Sequence, residues 1–298
     1  MLALSDTLRE IFEPCEYLGL VTAVTLALLA TAVEAEAQRL RTPGKPATFY
    51  AAPDGVDAGN DCLSPARPCT PQGAQNTAKH DWDFGRSGCT IRLAPGRYEG
   101  AIATVLIHGQ YVGAHLCQFY GDMNENDTCR DRNNVVFKPS PGHAAFDVQD
   151  GAITSIICLT LEGEGAIGFY GRQHVVIDSA DINCGTISRC VVLTHYAAAN
   201  FARWTWITGD QDAFISAHKH SNVLFGAVSG IKVVRPVSVV QLFLSYGHSE
   251  IELIPGGENS PGFEWSNPNF LAASKCITRQ HGTIVSNGVE IQCIMQAE

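Results

Sequence analysis

The stretch CTIRLAPGRYEG, Cys89 to Gly100, decides the fold. A β-favouring run, Thr90 to Leu93, stops at Pro95-Gly96 and resumes at once with Arg97-Tyr98. In isolation this is a hairpin, because Pro-Gly marks a turn and the flanking residues favour strands. The alternative is a corner, after which each strand pairs with a different part of the chain. A repeat elsewhere in the sequence separates the two readings.

Such a repeat is present. Segments starting at Ala145 (AFDVQDGAITSIICLTLEG), Ala166 (AIGFYGRQHVVIDSADINCG), Cys190 (CVVLTHYAAANFARWTWITG) and Ala213 (AFISAHKHSNVLFGAVSGI) align, their starts 21, 24 and 23 residues apart. Each holds a short apolar strand, a polar corner, a second apolar strand and a Gly-containing turn, which is what one coil of a three-faced solenoid needs. A poorer fifth copy starts at Leu242. A β-sandwich does not require strands to recur as a two-strand unit. The chain is therefore read as all-β, a single-stranded right-handed parallel β-helix over residues 47–298, and the opening stretch as a corner. Low charge content (17%) and 28 glycines in 298 residues agree with short strands and tight turns.

The entry to the repeat resembles a known family. Phe49-Tyr50-Ala51-Ala52-Pro53-Asp54-Gly55, Asp57, Ser64-Pro65, Pro68 and Thr70 precede a short helical segment, and Thr90 to Tyr98 follows it. This order is similar to that of secreted and phage-associated right-handed parallel β-helix proteins of the pectin-lyase-like fold. The resemblance implies that the helix, with Thr70 as cap and Pro71 at its first position, closes the N-terminal end of the solenoid. It also implies that enzymes of this kind are mostly polysaccharide lyases or glycoside hydrolases.

Residues 1–37 read as an export signal or membrane anchor. Tyr17 to Val33 carries no charge, and Ala35-Glu36-Ala37 has the small-x-small form of a cleavage site, although four acids precede the apolar run. Residues 38–46 read as a linker. The leader holds six of the 30 acids and one of the 20 bases, so the remainder has 24 against 19. That balance gives no electrostatic case for nucleic acid, and no membrane association is expected after cleavage. Ten cysteines follow the leader, an even number that suits disulfides in an exported chain, secreted or periplasmic. Closeness in sequence suggests Cys62–Cys69, Cys117–Cys129, Cys184–Cys190 and Cys276–Cys293, leaving Cys89 and Cys158. No Cys-x-x-Cys pair or Cys/His cluster points to a metal.

No P-loop, H-E-x-x-H or G-x-S-x-G occurs. GEGAIG, Gly163 to Gly168, has dinucleotide-loop spacing, but strand-like residues follow it, so it reads as a turn between coils. A hydrolase of the polygalacturonase type would carry Asn-Thr-Asp, Asp-Asp, Gly-His-Gly and Arg-x-Lys in order. This chain offers only GDQD (Gly209 to Asp212) and GHS (Gly247 to Ser249). Asp210 and Asp212, with His218, are the catalytic candidates, since paired carboxylates serve glycosidic cleavage; an Asp-rich turn is the plainer account. If the resemblance extends to the lyases it implies Ca²⁺, for which Asp178 and Asp181 are the residues on offer; simple strand alternation also accounts for them.

Laid coil on coil, the first corner aligns Asp150, Arg172 and Gln173, His195 and Tyr196, His218, Lys219 and His220, and His248. Arg172, His195, Tyr196, Lys219, His220 and His248 are the substrate-binding candidates, able to hydrogen-bond or stack against a sugar chain. A solvated edge is the alternative. Trp204 and Trp206 read either as a glycan face or as packing. The functional expectation is polysaccharide binding or processing at the cell surface, against a non-catalytic envelope or phage-tail-like component; oligomeric state is left open.

Overall fold

A computed structural model describes residues 47–81, 89–99, 103–106, 117–149, 151–226, 229–233, 238–254, 264–265, 275–279, 283–286, 289–290 and 294–295. The leader, the linker, Asp150 and the Cys276–Cys293 pairing lie outside the described residues.

The chain is a parallel β-solenoid. One sheet stacks a single strand from each coil, running Ala103–Leu106, Ala144–Gln149, Ile167–Arg172, Arg189–Thr194, Gln211–His218, Val239–Tyr246, Lys275–Arg279 and Ile294–Met295. A larger sheet supplies the other two faces. Long strands such as Ile153–Leu161 and Val176–Cys184 bend to serve both, their first halves on the second face and their last residues on the third. Six coils from Ala103 to Trp265 show all three faces. Their true spacing is read from paired positions. Phe146 faces Phe169, which faces Val191, then Ile215, then Phe243, giving steps of 23, 22, 24 and 28 residues. The long last step is why the copy at Leu242 is the poor one in sequence.

Period-two alternation turns every other side chain inward, where like residues stack on like. Phe201 and Phe225 stack face to face at 4.5 Å, and Phe146 lies between Phe137 at 4.8 Å and Phe169 at 5.7 Å. All five are buried. Each such burial stabilises by about 1.5–3 kcal/mol.

The opening stretch is a corner. Cys89–Leu93 pairs in parallel with Ala47–Ala51 and Gln118–Tyr120, whereas Gly96–Glu99 pairs with Val135–Lys138. The two strands flanking Pro95 do not pair with each other. Gly96 takes φ +154°, and a Cβ there would lie 2.6 Å from Pro53 Cγ, so the corner needs glycine. Tyr98 anchors the turn from inside. Its hydroxyl donates to the Ala94 carbonyl (2.8 Å), lies 3.3 Å from the Ala51 carbonyl, and its ring stacks on Phe137 at 4.7 Å. Burial, then Asp54, raises the phenol well above its ordinary range. The helix forms at Pro71–Asp81, where Thr70 Oγ1 accepts from the Gly73 amide. GEGAIG is a turn: Gly163 and Gly165 have φ of 134° and 72°, and a strand follows.

Among the described residues four disulfides brace these coils: Cys62–Cys69, Cys89–Cys117, Cys129–Cys158 and Cys184–Cys190. The expected Cys117–Cys129 pair does not form, and the two cysteines left over by nearness in sequence are its true partners. In a solenoid, spatial neighbours are one coil apart. Cys89–Cys117 and Cys129–Cys158 accordingly span 28 and 29 residues.

Tyr98→Phe is expected to destabilise the fold by about 1 kcal/mol, since it removes the hydrogen bond to the half-buried Ala94 carbonyl, and thermal melting measures the loss. Removing Cys129–Cys158 by paired Ala substitution is expected to cost about 3–4 kcal/mol in denaturant unfolding, more than removing the six-residue Cys184–Cys190 link.

Candidate functional site

Three outward-facing features recur along the coils. At the first corner, pairs of residues take left-handed backbone: Gln173 and His174, His195 and Tyr196, Lys219 and His220, Gly247 and His248. Two successive left-handed residues turn the chain sharply and leave the second amide free to bond the coil below. His174 N donates to His195 O (3.1 Å), Tyr196 N to Lys219 O (3.1 Å) and His220 N to Gly247 O (2.9 Å). The corner therefore has its own ladder, and the second side chain of every pair stands above its equivalent. His174, Tyr196, His220 and His248 form a continuous stack, centroids 5.0, 5.0 and 5.1 Å apart and planes within 6° of parallel. Tyr196 is nevertheless 55% exposed. Ring faces meet ring faces, so it is the edges, with their nitrogens and the phenol oxygen, that face solvent.

Alongside the stack lies a second column. His195 Nδ1 is 2.9 Å from Thr194 Oγ1, and its Nε2 is 3.1 Å from Lys219 Nζ. Arg172 and His218 belong to neither column. They end first-face strands one residue before the corner. Arg172 pairs with Asp147 and lies 4.9 Å over Tyr170. His218 is half-buried against Tyr246. Burial first, then Arg189 and Lys219, holds His218 below the usual imidazole range.

The catalytic candidates are not brought together. Asp210 and Asp212 lie at the start of the strand Gln211–His218 and His218 at its end, about 20 Å away along extended backbone. The two aspartates instead line a groove of about 910 Å³ at the third corner. Five successive turns build it, each contributing polar groups: Lys138, Glu164, Ser188, Asp212 and, in the fifth, Ser238 beside the exposed Val240. Arg97 is held by Glu162 at 2.8 Å, and Asp210 accepts from the Ser238 amide at 2.7 Å. Gln211 is 4% exposed; its amide nitrogen donates to Cys184 O at 2.9 Å, while its Oε1 has no partner among the described residues. At coil spacing the groove runs for about 19 Å.

The third face carries a cluster missed by the repeat. Thr205 points inward and Trp204 and Trp206 outward. The 3₁₀ turn Arg132–Asn134 folds across this face, with Arg132 O accepting from Thr160 Oγ1 at 3.1 Å, and sets the Arg132 guanidinium 3.3 Å over the Trp206 ring. Lys232 lies 3.8 Å over Trp204 and 5.6 Å over Trp206. Cations thus cover the indole faces, so these tryptophans brace the wall. Arg203 stands apart, 3.4 Å from Asp181. Asp178 accepts from Asn200 at 2.8 Å. Asp178 and Asp181 thus each have a protein partner of their own. Only the spatial neighbours supplied by folding reveal Arg132 and Lys232 beside the indoles; Arg132 is 74 residues from Trp206 in sequence.

No family model, curated protein or solved structure matches the chain.

A lowered His218 has a thermodynamic sign. The unfolded chain takes up a proton near pH 6.5 that the folded chain resists, so stability falls as pH drops below about 6.5 and levels off below the folded value. His218→Phe is expected to shrink that acid loss, read by comparing melting temperatures across the window.

Proposed function

We propose that this disulfide-braced solenoid works outside the reducing cytosol and binds an extended polysaccharide along the third-corner groove. Disulfides suit an oxidising compartment. The observation that carries the reading is the groove itself, an open channel lined by hydroxyl, carboxylate and ammonium groups from five successive coils. A polymer with a regular repeat can meet equivalent groups at regular intervals. Its hydroxyls would donate to Glu164 and Asp212 and accept from Lys138. Hydrogen bonds to charged groups of this kind are worth about 1.5–3 kcal/mol each, net of the water they replace.

The test incubates the purified chain with pectins, alginates and bacterial exopolysaccharides, measuring binding by calorimetry and cleavage by unsaturated-uronate absorbance and new reducing ends. Asp212→Asn and Lys138→Gln are each expected to weaken binding about tenfold with melting unchanged. Binding with no product identifies a binding module, new reducing ends without unsaturated uronate that are lost in Asp210→Asn and Asp212→Asn identify a hydrolase, and unsaturated uronate identifies a lyase. Absence of binding to every polymer sinks the reading in favour of a structural component.

A further inference from the structure

The ring stack at the first corner is remote from the groove and has a chemistry of its own. We propose that this corner is a second site, a pH-gated binding edge for an acidic polysaccharide. Three of its four rungs are histidines, His174, His220 and His248, in register with Tyr196 between the first two. Histidine is the side chain whose charge changes between about pH 5 and pH 8. Protons taken up by such a row would sit as cations at coil spacing, about 4.8 Å, on the scale of one sugar ring in an extended chain.

The second column sharpens the switch. The Lys219 ammonium can only donate, so at the 3.1 Å contact His195 Nε2 accepts, and its Nδ1–H is directed at Thr194 Oγ1. A proton arriving on Nε2 makes that contact donor against donor. Lys219 is then released toward solvent as a further cation. Like charges at this spacing repel, and a polyanion laid along the corner offsets the repulsion, so ligand and proton bind cooperatively.

The surroundings leave the charge exposed to a ligand. From the first face the corner meets Arg172, whose charge is balanced by Asp147, then Thr194, His218 and Tyr246. From the second face it meets Val176, Ala198 and Asn222, with Glu250 beside the last rung. Asp178, one step further along, is held by Asn200. Among the described residues Glu250 is the acidic side chain nearest in sequence to the ladder, two residues past His248. A chain of net charge −10 with only Lys219 and Arg172 as fixed cations here is poorly suited to nucleic acid, which selects dense Lys and Arg. A linear uronate polymer, with one carboxylate per ring and ionised throughout this range, fits the single row.

Binding of the full chain to polygalacturonate, to its methyl ester and to duplex DNA is measured at constant ionic strength at about pH 5 and about pH 8. The acid polymer is expected to bind about tenfold more tightly at the lower pH, the ester to show no such gain, and DNA to bind more weakly than polygalacturonate. A His174→Asn, His220→Asn, His248→Asn chain keeps residues that accept left-handed backbone, and melting confirms its fold. It is expected to lose most of the gain, and Lys219→Gln part of it. Equal affinity at both pH values, a gain that survives in the triple variant, or DNA bound as tightly as polygalacturonate overturns the proposal. Asp212→Asn in the groove is expected to leave the pH gain intact, so failure at either site is read separately.

Discussion

Parallel pairing between coils sets nearly everything described above. Once a residue of one coil is hydrogen-bonded in register to its equivalent in the next, side chains at that position stand about 4.8 Å apart along the axis. Inside, this stacks phenylalanines into a continuous core. Outside, it stacks whatever the corners carry. A single left-handed His-Tyr pair would be a local oddity costing strain. Repeated in register, with each second amide bonded to the next coil, it becomes a structural rail.

The same constraint explains what the sequence discloses. The repeat starting at Ala145, Ala166, Cys190 and Ala213 exposes the solenoid because each coil must supply the same short strands, and Pro95-Gly96 discloses a corner because the flanking strands need partners elsewhere. Stacking of His195-Tyr196 over Lys219-His220 follows from alignment alone. Ring parallelism does not, since it depends on backbone at positive φ that histidine, tyrosine and lysine only infrequently adopt.

Features linking unlike positions were illegible. Cys129, in a loop, bonds Cys158 at the second corner of the next coil, so simple closeness in sequence points away from the pair. Arg132 reaches Trp206 from a 3₁₀ turn that leaves the repeating pattern and crosses the third face. The groove likewise collects Glu162 and Asp210 from turns of unequal length and Arg97 from the strand Gly96–Glu99, which no simple alignment stacks. Asp210 and Asp212 were visible as a motif, yet His218, drawn to them by sequence nearness, is carried to the opposite end of one extended strand.

The placement of the disulfides gives the molecule a direction. All four seen among the described residues fall between Cys62 and Cys190, so they fasten the coils up to the strand Arg189–Thr194. A solenoid's stability is close to a sum of nearest-neighbour terms. Under load or heat the stapled coils stay joined after their pairing strands begin to part, and they remain as a seed on which neighbouring coils can rewind.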